Sequence, residues 1–471
     1  AQDYDYIDPH FGKIVTDGGD LLVDSIDNQK ASKYIRRTTD IRNLEASNEL
    51  FAELVAKAHR HNIKVIIDGV FNHCGSFHKW LDREEIYYGQ QGYEKGAYIS
   101  EDSPYRNYFD FHDENGWPYN SSYDGWWGHE TLPKLNYEGS RKLQEHILDV
   151  ARKWVSPPFN ADGWRLDVAA DLGHSSDFNH SFWQRFRKAV KEANPNAVII
   201  AEHYGDASSW LKGGEWDSIM NYDAFMEPVT FFLTGMQKHS DEFRPDLLNN
   251  ADAFWHTMRD KSRQFTTGSL MCAMNELSNH DHSRFLTRTN RKVGRLGRFS
   301  SADAKEGVNQ AVMREAVLIQ MTWVGAPTIY YGDEVGLCGF TDPDNRRPFP
   351  WGNEDFELMD FHRACIRIHK ENPELRTGSL KKLLGEPGLI AYGRFHRKDI
   401  CIIVINNRET AVNFELPIWE CGCPREGTAK RIIYTNDISF STDPKEFPIQ
   451  AGKVLVNLPP TSGQVLKIKR E

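Results

Sequence analysis

From residue 50 to about residue 370, short apolar runs alternate with amphipathic helical patterns. This rhythm belongs to βα units around a parallel sheet, because each parallel strand needs a long crossover before the next can start. Leu50, Phe51, Leu54, Val55 and Ala58 share one helix face ahead of the first clear strand. That strand, Ile63-Lys-Val-Ile-Ile-Asp68, is apolar and β-branched enough to predict burial. Five more strands are predicted at 161–167, 197–202, 218–220, 270–277 and 327–331. Helices are predicted at 141–155, 180–193, 308–323 and 356–369, with weaker helical signals inside 206–265.

Beyond about residue 375 the texture changes. Runs at 389–395, 400–405, 411–416 and 454–458 are strand-length and separated by Gly, Asn and Pro turns, which predicts an antiparallel β domain. Residues 74–140 form a long connection rich in Tyr, Trp, Asn and Gly, and a connection of that length is usually functional or a small subdomain. The expected organisation is therefore a barrel over 1–73 and 141–374, an inserted subdomain over 74–140, and a C-terminal β-sandwich over 375–471.

Composition narrows the function classes. Hydrophobic residues at 39 % and aromatics at 12 % exclude a disordered chain. The net charge of −10 argues against a nucleic-acid backbone or an anionic membrane surface as partner. The most apolar stretch, 316–331, is broken by Gln320, Thr322, Gly325 and Pro327, so no membrane-spanning helix is predicted. Seven scattered cysteines make a poor disulfide framework and tilt the compartment slightly towards the cytoplasm, without settling it. Cys421-Gly-Cys423 has no second ligand pair, so a zinc site is not expected.

Polar groups gather where the predicted strands end, which is where parallel barrels carry their sites. Asp68-Gly-Val-Phe-Asn72-His73 follows the first strand, and Gly163-Trp-Arg165-Leu-Asp167 closes the second. Ala201-Glu202-His203 ends the third and Leu277-Ser-Asn279-His280-Asp281 the fifth. One acid at a strand end is more often a cap or a solvated loop residue, and His73 alone would be an ordinary hydrogen-bonding histidine. Trp126-Trp127 could equally be packing within the insertion. Several charges, each ending a different apolar strand, would carry a desolvation cost unless they served one pocket. Paired carboxylates among aromatics suit glycosidic bonds, one attacking the oxocarbenium-like centre and the other protonating the leaving oxygen.

These four segments resemble, in order and spacing, the four signature regions of the α-amylase family of glycoside hydrolases. Leu132-Pro-Lys-Leu-Asn136 is similar to a fifth signature in its neopullulanase, cyclomaltodextrinase and pullulan-hydrolysing α-amylase form. The segments Gly325-Ala-Pro-Thr-Ile-Tyr-Tyr-Gly-Asp-Glu334 and Asp342-Pro-Asp-Asn-Arg346 resemble the last barrel strand and the loop after it. The resemblance implies an α/β (β/α)8 TIM barrel with an inserted subdomain and a C-terminal antiparallel β domain. It also makes Asp3-Tyr4-Asp-Tyr-Ile-Asp8-Pro9 similar to the loop after the second barrel strand, so the first two strands are expected to be missing from this sequence. Exposed apolar surface is then expected beside 63–68 and 327–331. No role is assigned to the charged stretch 12–43.

Matched by motif, Asp167 corresponds to the nucleophile, Glu202 to the acid/base and Asp281 to the acid that grips the hydroxyls of the distorted sugar. Arg165 would hold Asp167 ionised, and His73 and His280 resemble hydroxyl ligands around the cleaved residue. Asp342 and Arg346 match a more distant donor subsite, while Asp68 and Asn72 are expected to be supports. The chemistry implied needs no cofactor. The resemblance leaves room for structural calcium, although Asp171 stands where α-amylases carry a calcium-linked His and neopullulanases a Glu. Its other departure is His203-Tyr204-Gly205-Asp206 after the acid. The implied function is retaining hydrolysis of α-1,4 bonds in starch, maltodextrin, pullulan or cyclodextrin. The alternatives are a 4-α-glucanotransferase and, with less support, a non-catalytic amylase-like subunit. An α-glucan is the expected partner, with homodimerisation open.

Overall fold

The computed structural model describes residues 1–469. The chain divides into two compact units, one of Ala1–His203 with Ser209–Asp217, the other of Tyr204–Ser208 with everything from Ser218 on.

In the first unit β1 (Ile66–Gly69), β2 (Gly163–Leu166) and β3 (Val198–Ala201) pair in parallel. Asp68 lies opposite Arg165, and Leu166 opposite Ala201, so the carboxyl ends of the three strands are level. The ladder continues past them: Asp167 donates its N–H to Gly69 O at 3.1 Å and Glu202 to Leu166 O at 2.8 Å. The crossover helices are Arg141–Val155 and Ser176–Ala193. Ser140 and Ser175 accept from Leu143 N and Phe178 N and so satisfy first-turn donors. The second helix starts four residues earlier than the hydrophobic period predicts, because that cap sits at 175.

The expected burial of 63–68 is corrected in part. Ile63 lies outside β1 and is 58 % exposed, and Ile66 is 44 % exposed. Within its unit β1 pairs on one side only, with β2. Apolar surface lies open beside it, as expected, with Leu50 and Leu54 also exposed.

Residues 74–140 run as turns around buried aromatics, among them Trp80, Tyr87, Phe109 and Tyr123. Their two ends meet. Leu135 N donates to Asn72 O and Cys74 N to Pro133 O, each at 3.1 Å, and His73 forms an antiparallel bridge with Lys134. The Leu132–Asn136 signature therefore lies alongside the segment that follows β1.

In the second unit β4 (Ser218–Ile219) leads into a parallel bridge from Met220 to Met274, and β5 (Met274–Glu276) pairs in parallel with β6 (Ala326–Thr328). Six strands are thus found for the six predicted. The fifth is shorter than 270–277, because Thr266 caps a helical turn at Thr267–Met271. Gln320 Nε2 donates to Asn275 O at 3.0 Å and Thr328 O at 2.8 Å, tying β5 to β6. Gly325 has φ +132°, and a Cβ there would come within 2.4 Å of the Asn275 amide, so a side chain is excluded on both grounds. Beside β6, Tyr331 is 41 % exposed.

The C-terminal strands are β7 (Ser379–Glu386), β8 (Leu389–Phe395), β9 (Asp399–Asn406), β10 (Val412–Leu416), β11 (Gly427–Thr435), β12 (Phe440–Ser441), β13 (Lys445–Gln450), β14 (Lys453–Leu458) and β15 (Ser462–Lys469). They form one antiparallel hydrogen-bonded path, β10-β14-β13-β11-β15-β9-β8-β7, with β12 on β11. Alternation along β9 shows how it packs. Ile403 and Ile405 join Val317, Leu318 and Met321 of helix Gln310–Thr322, while Ile402 and Val404 join Val456 and Leu466 within the sheet. Among the described residues no cysteine is joined in a disulfide, and no helix is long and apolar enough to cross a membrane.

Candidate active site

The level ends of β1, β2 and β3 bring Asp68, Arg165, Asp167 and Glu202 together. Arg165 sits between the three acids. Its Nη1 donates to Asp167 Oδ1 at 2.8 Å and to Asp68 Oδ1 at 2.9 Å, and its Nη2 donates to Glu202 Oε2 at 2.8 Å. Burial alone would lower the guanidinium's pKa, but Asp68, Glu202 and Asp167 together hold it above its ordinary value. Arg165 is 12 % exposed and Glu202 7 %, so these are charge-assisted bonds in a largely dry place.

The backbone beside the nucleophile candidate is strained. Val168 has φ +37° and ψ +46°, a left-handed conformation that costs a β-branched residue about 1–3 kcal/mol. Its N–H donates to Glu202 Oε2 at 3.2 Å. The same carboxylate oxygen thus takes both the guanidinium and the strained turn, and fixes the chain's exit from β2.

His73 is buried beside these groups. Desolvation pushes its imidazole down to about 4, with Lys134 also lowering it and Asp167 opposing, so the ring is neutral at neutral pH. Trp126 lies flat on it, with centroids 5.1 Å apart and planes 10° from parallel, and donates its indole N–H to Asp171 Oδ2 at 2.8 Å. Tyr4, itself buried, shares its one hydroxyl proton between His73 O at 2.9 Å and Val70 O at 2.8 Å. Tyr4 and Lys134 escaped the sequence reading, and only their places in motifs 66 and 62 residues or more from these partners could have drawn attention to them.

The second unit gathers the other four candidates. Arg346 Nε donates to Asp342 Oδ1 at 2.6 Å, and its Nη2 is 3.7 Å from Asp281 Oδ1. His280 Nε2 is 3.6 Å from Asp281 Oδ2. The scaffold is buried and polar. Asn279 Oδ1 accepts from the N–H groups of Asp281 and His282, each at 3.0 Å, forming a tight turn. Asn345 Nδ2 donates to Asn279 O at 3.0 Å and His282 O at 2.7 Å. Arg284, fully buried against Asp333, ties Tyr331 O to Asn345 O. The sequence reading missed Arg284.

A calcium ion does not fit at position 171. The oxygens converging there, Asn72 Oδ1 and the Asp171 carbonyl, receive the Lys134 ammonium at 3.0 and 2.7 Å. A divalent cation would compete for the same lone pairs and be repelled by that ammonium. Elsewhere, Asp110, Asp124 and His174 bring one potential ligand atom each within 4.8 Å of one another. Asp110 already accepts from Asn136 and Asp124 already meets His112.

Level parallel strands ending in an arginine-bridged Asp–Glu pair define a carboxylate-based glycosidase scaffold. Residues 27–377 match the family described as Alpha amylase, catalytic domain, and the chain belongs to that family of glycoside hydrolases. Neopullulanase 2 of Thermoactinomyces vulgaris is 33 % identical over 381 residues, covering 79 % of this chain and 56 % of its own length. A cyclomaltodextrinase of Thermoanaerobacter pseudethanolicus is 30 % identical over 99 % of this chain and 64 % of its own. An amylopullulanase of Thermoanaerobacter thermohydrosulfuricus is 31 % identical over 93 % of this chain and 30 % of its own. The chain thus spans between 30 % and 64 % of the length of these curated relatives. Among solved structures, the debranching enzyme of Nostoc punctiforme superposes with a TM-score of 0.69 at 27 % identity, covering 95 % of this chain and 84 % of that one.

Proposed function

We propose that the chain is a retaining α-glucan hydrolase that cleaves α-1,4-glucosidic bonds in starch, maltodextrin, pullulan or cyclodextrin by double displacement. The observation that carries this reading is the single guanidinium bridging Asp167 and Glu202. A cation bonded to both side chains supports a closely spaced pair, and retention requires the two carboxyls to lie about 5–5.5 Å apart, whereas a wider gap would admit a water and favour inversion.

In the first step an Asp167 oxygen attacks the anomeric carbon and the glycosidic bond breaks. Glu202 gives its proton to the departing oxygen. In the second step Glu202 takes a proton from water, whose oxygen displaces Asp167 from the sugar. Arg165 braces and aims Asp167 through the bond to its Oδ1. His73 donates a hydrogen bond to a sugar hydroxyl. Asp281 with His280 is proposed to hold hydroxyls of the sugar being cleaved, and Asp342 with Arg346 to bind further along the donor side. These roles rest on the motif match and on the assembly of each cluster within its own unit. The relatives named for pullulan and cyclodextrin support the substrate class.

The test is to incubate the protein with pullulan, soluble starch and a cyclodextrin, separate the products by chromatography, and follow the anomer first released by NMR. Short products released as the α-anomer are expected. Longer or cyclic products would mean transfer, and a β-anomer would refute retention. Asp167→Asn should lower turnover at least about 10⁴-fold with the fold intact, and activity within tenfold of the parent would remove Asp167 from the nucleophile's place.

A further inference from the structure

Lys134, Asn72, His73, Trp126 and Asp171 form a closed ring of contacts within the first unit. The Lys134 ammonium donates to Asn72 Oδ1 at 3.0 Å and to the Asp171 carbonyl at 2.7 Å. Asn72 Nδ2 lies 3.2 Å from His73 Nδ1. His73 stacks on Trp126, whose indole N–H returns to Asp171 Oδ2. Asn72 is 1 % exposed and His73 6 %, so water offers these groups little alternative.

The chemistry of the donors runs through this ring in one direction. An ammonium carries only donors, so the atom of Asn72 that meets it must be the carbonyl oxygen. That choice turns the NH₂ of Asn72 towards His73. An amide NH₂ carries only donors too, so His73 Nδ1 must accept, and in a neutral imidazole the proton then sits on Nε2. We propose that Lys134 is a positioning residue: by fixing the amide orientation of Asn72 it sets the Nε2–H tautomer of His73, and so makes that nitrogen a hydrogen-bond donor to the sugar. The proposal rests on the reading of His73 as a sugar ligand for its functional part, while the tautomer itself does not.

The Asp171 carbonyl is the second anchor. It sits four residues past Asp167 and beyond the left-handed Val168. One ammonium therefore ties the segment after β1 to the segment after β2, from a residue of the insertion. Removing it leaves the Asn72 oxygen and the Asp171 carbonyl without that donor and frees the Asn72 amide to flip.

The test combines a spectroscopic readout on the free protein with kinetics. The chain is labelled with ¹⁵N-histidine and the His73 signals are assigned by loss in His73→Gln. In the parent, an unprotonated Nδ1 and a protonated Nε2 are expected. Lys134→Met should populate both tautomers. Asn72→Asp keeps an acceptor for Lys134 but offers His73 only acceptors, and it should move the proton to Nδ1. Cooperative thermal unfolding of each variant confirms that it folds. With a chromogenic maltotrioside, Lys134→Met and His73→Gln should each raise KM at least about fivefold, and the double variant should be no worse than the weaker single. A protonated Nδ1 in the parent, an unchanged spectrum in Lys134→Met, or additive KM effects would overturn the proposal. A parent that cleaves no α-glucan but shows the expected tautomers would instead defeat the proposed function and leave the tautomer assignment standing.

Discussion

Replacing Arg165 by Met tests the site's electrostatic design most directly, because the unbranched stem is kept and only the guanidinium is lost. Three charge-assisted bonds disappear, to Asp68, Asp167 and Glu202. The bond to Asp68 contributes little, since that carboxylate is 56 % exposed and solvent takes over. The other two join partners that are 20 % and 7 % exposed, and bonds to charged groups of this kind are each worth about 1.5–3 kcal/mol. Their sum agrees with the roughly 3–5 kcal/mol lost when one member of a buried ion pair is removed. In a unit of this size that lowers the unfolding temperature by about 10 °C. The deficit should also depend on pH. Two carboxylates left together without a cation bind a proton more readily, so the folded variant takes up more protons than its unfolded chain on acidification. Relative to the parent, the variant then gains stability as pH falls, and the deficit should shrink between pH 7 and pH 5. Calorimetry of parent and variant at the two pH values decides it. Unfolding within a degree or two of the parent at pH 7, or the same deficit at both pH values, would refute the reasoning. In the same preparation kcat/KM on maltotriose should fall at least about 10³-fold, a loss of roughly 4 kcal/mol in transition-state stabilisation.

Glu202→Gln should slow starch hydrolysis by about 10²–10⁴-fold, the range of general-acid catalysis, and much less with a dinitrophenyl glycoside, whose leaving group needs no proton, when the first step is followed by stopped flow. Acid should weaken the fold through buried neutral histidines. Desolvation lowers His73 and His362 to about 4, and His78 and His282 well below their ordinary value. The unfolded chain therefore binds these protons first, so stability falls as pH drops from about 6.5 towards 4, by up to about 3 kcal/mol per histidine. Urea unfolding at stepped pH should show this slope, and His362→Gln should reduce it by about one proton. Gly393→Ala should destabilise the C-terminal sheet by about 1–3 kcal/mol, because the new Cβ would stand 2.2 Å from Cys421 Sγ. Cys421→Ala should recover most of that in the double variant, judged by thermal unfolding.

What could be read from the sequence follows from what a strand end signals locally. Arg165 and Asp167 close an apolar run, Glu202 closes another, and level pairing of such runs brings their ends together without further information. The run 389–395 was legible for the same reason, and it is β8. β7 was not, because Lys381, Lys382 and Gly385 break its alternation, and it pairs with β8 through a register shift after Lys382. The exposure of Ile66 was illegible from its run alone, since a β-branched strand reads as buried whether one or both of its edges are paired. Val168 gave no sign of its left-handed backbone; a Gly or Asn would have. Lys134 looked like one letter of a signature, and its role depends on Asn72, 62 residues away.

The same alternation that brings the candidate catalytic groups together also anchors them. Arg165 points to the acids, so its neighbour Trp164 must point the other way, and it packs against Phe71 at 5.3 Å and Phe186 at 6.2 Å. Phe71 follows β1 and its carbonyl receives the hydroxyl of buried Tyr137 at 2.7 Å, so the chain leading to His73 is held by the insertion's far end. The strained Val168 and the crowded acids would each favour a relaxed backbone if left alone. They are held because the residues on either side of them, Trp164, Leu166 and Ala169 along the β2 segment, are buried. Moving Arg165 or Asp167 by one register step would put a charge into that aromatic core and a tryptophan among the carboxylates. The geometry of the carboxyl pair is thus specified by packing on the face where no chemistry takes place, and conservative changes at Trp164 or Phe186 should disturb catalysis more than substitutions on the exposed side of Asp68.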